Sequence, residues 1–271
     1  MPGPGQGPSG EARDGGYGCR ARGRGLHGGI AAMSAAEPAL NVPRSVVGVG
    51  ALLVGVQLVR SLLPDELDLT LLLALAFIPA RYSGAALELP GGYLTAVTSF
   101  VTYMVVHAGW VHLMVNLLWM LAFGSAVARR MSGAAFLSFS VLCGIAGAFT
   151  HLVFHYGDLV PVVGASAAIS GQMAGALRFF FRAERLPGER RPDFAGAPTM
   201  SLVQTFSDKR MLAFLAFWVA VNAYFGLSSL RIAGEEGSIA WEAHIGGFLC
   251  GLLIFAWFDR GMAATPVEAE T

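Results

Sequence analysis

The 271-residue chain is 55% hydrophobic and only 13% charged, and its mean hydropathy is +0.58. Soluble domains carry about 25% charged residues, so this composition excludes an ordinary soluble globular protein. The formal net charge is zero, with 18 basic and 18 acidic residues, which argues against a nucleic-acid-binding surface. The cysteines cannot form a disulfide framework, because their number is odd and two of the three lie in apolar runs.

The two ends of the chain differ in composition from the middle. Residues 1–44 are rich in Gly, Pro, Ala and Arg and contain few large apolar side chains. Such a segment cannot bury enough apolar surface to fold, so it is predicted to be a disordered cytosolic tail. Residues 259–271 are predicted to be a short cytosolic C-terminal tail, which leaves residues 45–258 as the folded membrane domain.

Six apolar stretches in this domain approach the roughly 20 residues that a helix needs to cross a bilayer. They are residues 45–63, 111–130, 133–155, 163–182, 211–230 and 241–258. A further apolar stretch at 69–79 is short, and we predict an interfacial or re-entrant loop there. The fold class is therefore predicted to be an all-α integral membrane protein, a six-helix bundle with a large first extracytoplasmic loop.

The basic residues predict the orientation of these spans. If both termini are cytosolic, 15 of the 18 Lys and Arg residues fall on the cytosolic side, as the positive-inside rule requires. This orientation places Ser166, His112, Asn116 and His244 near the outer ends of three different spans, at similar depth. Polar residues are costly in lipid, so their convergence in one layer indicates a functional site.

Ser166 lies in the small-residue stretch PVVGASAAISGQMAG (161–175), at the predicted start of the fourth span. A serine at a helix N-terminus could act as a nucleophile, because the free backbone N–H groups and the helix dipole stabilise an oxyanion. The alternative is a small packing serine, which is common in membrane helices. The stretch is not the Gly-x-Ser-x-Gly motif of α/β-hydrolases, since position 168 is alanine.

His244 is the candidate general base, and it lies on a helix with small residues four apart. Close approach of two helices is what a hydrogen bond between Ser166 and His244 requires. The alternative for His244 is a histidine bonded to a backbone carbonyl near the interface. Four glycines are predicted to permit close packing, the first of them also shaping the loop into the fourth span: Gly164, Gly171, Gly247 and Gly251.

His112 and Asn116 are four residues apart and share one helix face. Their side chains could donate hydrogen bonds to an oxyanion beside Ser166, or they could simply link helices. His151 and His155 show the same spacing, with Asp158 close behind. No third and fourth metal ligand is evident there, so we expect solvated interfacial histidines, no metal and no cofactor.

Three separated motifs resemble those of the rhomboid intramembrane serine proteases: HAGWVHLMVN (107–116), GASAAISG (164–171) and AHIGGFLCG (243–251). The resemblance implies that Ser166 is the nucleophile and His244 the base, without a third acidic member. It also implies that His112, Asn116 and the Ser166 backbone form the oxyanion hole. The substrates would be transmembrane segments of other membrane proteins, and the location would be a bacterial inner membrane.

Three features depart from the family pattern: residues 167 and 170, and a first loop that lacks the usual Trp-Arg pair at 93–100 while Ala128 replaces a common acidic partner after span two. Ala167 stands where glycine usually follows the serine, and Ser170 stands where an aromatic ring often packs against the histidine. The first departure leaves open a non-proteolytic rhomboid-like protein that binds transmembrane clients, although such relatives usually lose the serine or the histidine. A transporter with a polar midplane site is a weaker alternative, because no inverted repeat or mid-depth charge is evident.

Overall fold

The computed structural model describes residues 42–84, 88–183, 194–227 and 240–259; the predicted N-terminal tail up to residue 41 and the C-terminal tail from residue 260 lie outside them. The described α-helices are α1 (Arg44–Arg60), α2 (Asp65–Leu75), α3 (Gly92–Thr102), α4 (Trp110–Trp119), α5 (Ser125–Ala128), α6 (Gly133–Phe154), α7 (Ser166–Leu177), α8 (Leu202–Ser207), α9 (Lys209–Leu227) and α10 (Trp241–Phe258). A π-helical turn at Met120–Gly124 joins α4 and α5 into one continuous helical segment.

Among the described residues, three helical segments are long and apolar enough to cross a membrane: Trp110–Ala128, Gly133–Phe154 and Trp241–Phe258. These are the second, third and sixth predicted spans, and their bounds agree with the prediction to within two residues. Helices α1 and α9 occupy the first and fifth. Helices satisfy every backbone polar group internally, which is why this apolar chain uses them throughout. The predicted all-α membrane fold is confirmed.

The fourth predicted span is shorter than expected. Helix α7 has only 12 residues, against the 20 predicted for 163–182, because it begins at Ser166 after a turn in which Gly164 has φ +110°. All residues of α7 after Ser166 are buried, and α6 and α10 pack against it. A helix enclosed by other helices is shielded from lipid, so it does not have to match the bilayer thickness by itself.

The prediction of a loop at 69–79 was wrong for most of that stretch. Helix α2 covers Asp65–Leu75, with acidic residues in its first turn that complement the helix dipole. Its 11 residues extend about 16 Å, too short to cross a bilayer. A short 3₁₀ helix (Pro79–Tyr82) and α3 follow it, and Phe77 pairs with Val162 through two backbone hydrogen bonds of 3.0 and 2.8 Å. The segment between the first two spans is therefore largely helical.

Glycines set the distance between α7 and α10. A Cβ atom built on Gly247 would lie 2.0 Å from the Ala167 carbonyl oxygen, and one on Gly251 would lie 2.3 Å from the Gly171 oxygen. A Cβ on Gly171 would lie 2.4 Å from Cys143 Sγ of α6. Three of the four predicted glycines thus lie at helix–helix contacts, whereas Gly164 lies in the turn before α7. Side chains at these contacts would push the helices apart.

We expect Gly247→Ala to lower the free energy of unfolding by about 1–3 kcal/mol, because the added methyl group meets backbone that cannot rotate away. Gly55→Ala on α1 is the matched control, since nothing lies within 4 Å of its Cβ position and alanine favours helix. Thermal unfolding of both variants in detergent measures the difference. Equal unfolding temperatures for the two would contradict the close packing of α7 and α10.

Candidate active site

Ser166 and His244 meet at one end of the bundle. Ser166 is the first residue of α7, and His244 lies in the first turn of α10. The Ser166 hydroxyl oxygen lies 2.8 Å from His244 Nε2, within hydrogen-bonding distance. Both residues are only partly buried. The glycine contacts between α7 and α10 bring the two helices close enough for this bond.

Asn222 of α9 is a third member that the sequence reasoning did not identify. Its Oδ1 atom lies 2.6 Å from His244 Nδ1, and its Nδ2 atom donates to the Trp218 carbonyl at 2.8 Å. The bond to the Trp218 carbonyl assigns the two amide atoms, because only Nδ2 can donate to a carbonyl oxygen. Oδ1 is then the atom that faces His244. A buried asparagine in an otherwise apolar span was itself a signal, since polar groups are costly in lipid. The sequence did not show which helix it would face.

This arrangement sets the tautomer of the imidazole ring of His244. An amide oxygen only accepts hydrogen bonds, so His244 Nδ1 carries the proton that is donated to Asn222. The lone pair of Nε2 is then free to accept the Ser166 O–H. The result is a Ser–His–Asn series in which the third member is a neutral amide rather than an acid.

His112 lies beside the turn that precedes Ser166. A Cβ atom built on Gly164 would lie 2.8 Å from His112 Nε2, so only glycine leaves room for this ring. The Ala108 backbone N–H points to His112 Nδ1 at 3.5 Å, which assigns the acceptor role to Nδ1 and the proton to Nε2. His112 therefore places an N–H donor beside Gly164, which is two residues before Ser166 in the chain.

Asn116 is placed differently. Its Nδ2 atom donates to the His112 carbonyl at 2.9 Å, one turn back on the same helix. The side chain is buried, and its Oδ1 atom has no hydrogen-bond partner within the described residues. Asn116 is therefore held by its own helix, whereas His112 directly contacts the Gly164 turn.

His107 connects the loop before α4 to the turn before α7. Its Nε2 atom accepts a 3.4 Å hydrogen bond from the Ala165 backbone N–H, and its carbonyl accepts one from the Arg60 guanidinium. Burial, with contributions from His112 and Arg60, lowers the pKa of His107 to about 3. His107 is therefore neutral, which is the state that lets Nε2 act as an acceptor.

The departures from the family pattern at positions 167 and 170 have local partners. A Cβ atom built on Gly147 of α6 would lie 2.5 Å from Ala167 Cβ, so the glycine at 147 makes room for the alanine methyl group. Ser170 Oγ donates to the Ser166 carbonyl at 2.8 Å, within its own helix. Orientation of His244 in this chain comes instead from the hydrogen bond with Asn222.

The fold and the site together define an all-α membrane protein with a serine–histidine pair at the end of its bundle. The Rhomboid domain family model matches residues 95–260, and the chain belongs to the rhomboid family. It is 24% identical over 166 residues to "Rhomboid protease GlpG" from Yersinia pseudotuberculosis, covering 61% of this chain and 50% of that protein. It is 25% identical over 171 residues to "Rhomboid protein 1, mitochondrial" from Saccharomyces cerevisiae, covering 61% and 43%. The chain thus spans about half the length of the curated relatives it matches.

Proposed function

We propose that this protein is an intramembrane serine endopeptidase that cleaves transmembrane segments of other membrane proteins. The observation that carries the proposal is the 2.8 Å contact between Ser166 Oγ and His244 Nε2 in an apolar helical bundle. Membership in the rhomboid family, and relatives whose names include a protease, support the same reaction class. A serine that only packs between helices would not explain why His244 contacts it while bonding to Asn222 on its other side.

In the proposed mechanism, Ser166 Oγ attacks the carbonyl carbon of the scissile peptide bond while its proton passes to His244 Nε2. The tetrahedral intermediate collapses as the C–N bond breaks, and His244 returns the proton to the leaving amine. Water then attacks the acyl-enzyme, giving its proton to His244, and Ser166 regains a proton when the acid product leaves. Asn222 accepts the Nδ1–H bond throughout and stabilises the imidazolium form.

The proposed oxyanion site lies at the start of α7. The first N–H groups of a helix have no intrahelical partner, and the helix dipole is positive at that end. Ser166 is the first residue of the helix, so its own N–H is one of these donors. His112 Nε2–H adds a side-chain donor from the neighbouring helix. Asn116 is assigned a supporting role, because its amide bonds to the His112 carbonyl.

We expect His112→Ala to lower kcat by on the order of 10²–10³-fold, the effect of losing one oxyanion donor. Asn116→Ala should have a smaller effect, since it acts through His112 rather than through substrate. Cleavage kinetics of a transmembrane reporter in proteoliposomes measure both variants. A larger loss for Asn116→Ala than for His112→Ala would contradict this assignment.

The proposed location is a bacterial inner membrane, with both termini cytosolic and the Ser166 end of the bundle toward the outside. The distribution of Lys and Arg supports this orientation. The chain is similar to a bacterial and a mitochondrial relative to a comparable degree, so the proposal of a bacterial membrane rests on the resemblance of its motifs alone. Protease accessibility of an N-terminal tag in right-side-out vesicles tests the orientation. We expect the tag to be protected, and a tag that is cleaved would contradict cytosolic termini.

Covalent labelling tests the proposed activity. The purified protein is treated with an isocoumarin, and the labelled peptide is identified by mass spectrometry. We expect label on the peptide that contains Ser166, in native protein only, because a heat-denatured sample has lost the contact with His244. Folded protein that takes no label, beside an active rhomboid control, would instead indicate a role in binding transmembrane clients.

A further inference from the structure

A second cluster of polar side chains lies where the end of α6 meets the start of α10. His151 and His155 are one helical turn apart, and their rings stack with centroids 4.3 Å apart. Glu242, two residues before His244, approaches both of them from α10. Its Oε1 atom lies 3.0 Å from His155 Nε2, and its Oε2 atom lies 3.6 Å from His151 Nδ1. The third ligand that the sequence did not reveal is therefore a residue from another helix.

The spacing of these atoms suits a transition metal. Zinc binds histidine nitrogen and carboxylate oxygen at about 2.0–2.2 Å, which puts tetrahedral ligand atoms about 3.3 Å apart. Two separations lie on either side of that value: His155 Nε2 is 3.0 Å from Oε1 of Glu242, and His151 Nδ1 is 3.6 Å from its Oε2. All three ligand atoms lie within 4.8 Å of one another, so small side-chain rotations are enough to complete the geometry.

One of these ligand atoms, His151 Nδ1, makes no hydrogen bond within the part of the chain that the structure describes. His151 is 6% exposed, and its Nδ1 atom has no hydrogen-bond partner among the described residues. A buried polar atom without a partner is costly, and such groups in native proteins usually have a reason. Here the ring nitrogen faces a buried carboxylate at 3.6 Å, too far for a hydrogen bond. A cation between the two atoms would satisfy both.

Asp158 supplies a feature that is characteristic of metal-binding histidines. Its Oδ2 atom lies 2.9 Å from His155 Nδ1, so the ring nitrogen on that side donates to a carboxylate. Metal-ligating histidines almost always donate their other ring N–H to a carboxylate, a carbonyl or water. This bond directs His155 Nε2 toward Glu242, where it donates a 3.0 Å hydrogen bond to Oε1. A metal ion bound to Nε2 would take the place of that proton, which is released on binding.

We propose that His151 Nδ1, His155 Nε2 and the Glu242 carboxylate form a binding site for a divalent transition-metal ion of the Zn²⁺ type. Two imidazoles and one carboxylate favour zinc over the hard cations Mg²⁺ and Ca²⁺, which prefer oxygen ligands. Solvent completes the coordination, since His155 is partly exposed. The ion would link the end of α6 to the start of α10, the helix that carries His244. This inference does not rest on the proposed protease activity.

The test is zinc binding to tag-free, detergent-purified protein, measured as metal bound after dialysis and as a shift in unfolding temperature. We expect one equivalent of Zn²⁺ and an unfolding temperature raised by on the order of 5 °C at 100-fold excess over Kd, with no shift from Mg²⁺. His155→Gln and Glu242→Gln should each abolish both the binding of the Zn²⁺ equivalent and the shift in unfolding temperature. Asp158→Asn leaves the three ligands in place and should weaken binding by about 10–100-fold.

Glu66→Gln, an exposed carboxylate on α2, is the matched control and should bind zinc as the unaltered protein does. Folding of each variant is checked by helical content and by its unfolding temperature without metal. Failure of the unaltered protein to bind zinc would overturn the proposal. Binding that survives in folded His155→Gln and Glu242→Gln would overturn it equally, because the ion would then lie elsewhere.

Discussion

Replacing Ser166 or His244 by alanine is expected to lower the cleavage of a transmembrane reporter by on the order of 10⁴–10⁶-fold, with folded protein retained. The serine supplies the attacking oxygen and the histidine accepts its proton, so neither step survives the loss of its partner. The double variant should be no slower than the slower single variant, because residues that act as a unit are not additive. Cleavage in proteoliposomes, followed by gel over long incubations, measures all three.

The control for this experiment is Ser170→Ala. It removes a hydroxyl from the same helix, one turn further on, and breaks only a bond to the Ser166 carbonyl. We expect it to keep most of the activity and the unfolding temperature of the unaltered protein. Activity retained in Ser166→Ala, or additive losses in the double variant, would argue against a serine–histidine mechanism at this site.

Asn222→Leu is expected to lower kcat by on the order of 10²–10³-fold with little change in KM. Leucine has the same branching and number of side-chain heavy atoms but no acceptor, so His244 Nδ1–H would lose the partner that sets its tautomer and ring orientation. Asn222 does not contact the reacting atoms, so the loss should fall on kcat rather than on substrate binding. Initial rates over a range of reporter concentrations separate the two parameters.

Asn222→Asp distinguishes positioning from simple packing. The aspartate oxygen can accept the same hydrogen bond, so Asn222→Asp should be at least tenfold more active than Asn222→Leu. Phe217→Leu, at an exposed position on α9, is the control for a general loosening of this helix. Equal losses in the leucine and aspartate variants would show that the position matters only for stability.

Much of the membrane domain is determined locally by the sequence. Apolar runs of about 20 residues specify spanning helices, because no other structure satisfies the backbone in lipid. Spacing within one helix also determines which side chains share a face, as for His112 with Asn116 and His151 with His155. The second, third and sixth spans and these pairs could therefore be predicted from the chain alone, whereas the short α7 could not.

Contacts between side chains on different helices were determined only by the tertiary structure. Ser166 meets His244 because Gly247 and Gly251 let α10 approach the α7 backbone. The sequence suggested this contact through small residues four apart and through motifs resembling a known family, but it did not give the geometry. The partners of Asn222 and Glu242 could not be assigned, since the position of a single polar residue on an apolar helix does not tell which neighbouring helix it faces. Packing against neighbouring helices selects one of them. Sequence spacing determines which residues share a helix face, and only the packed bundle determines which faces meet.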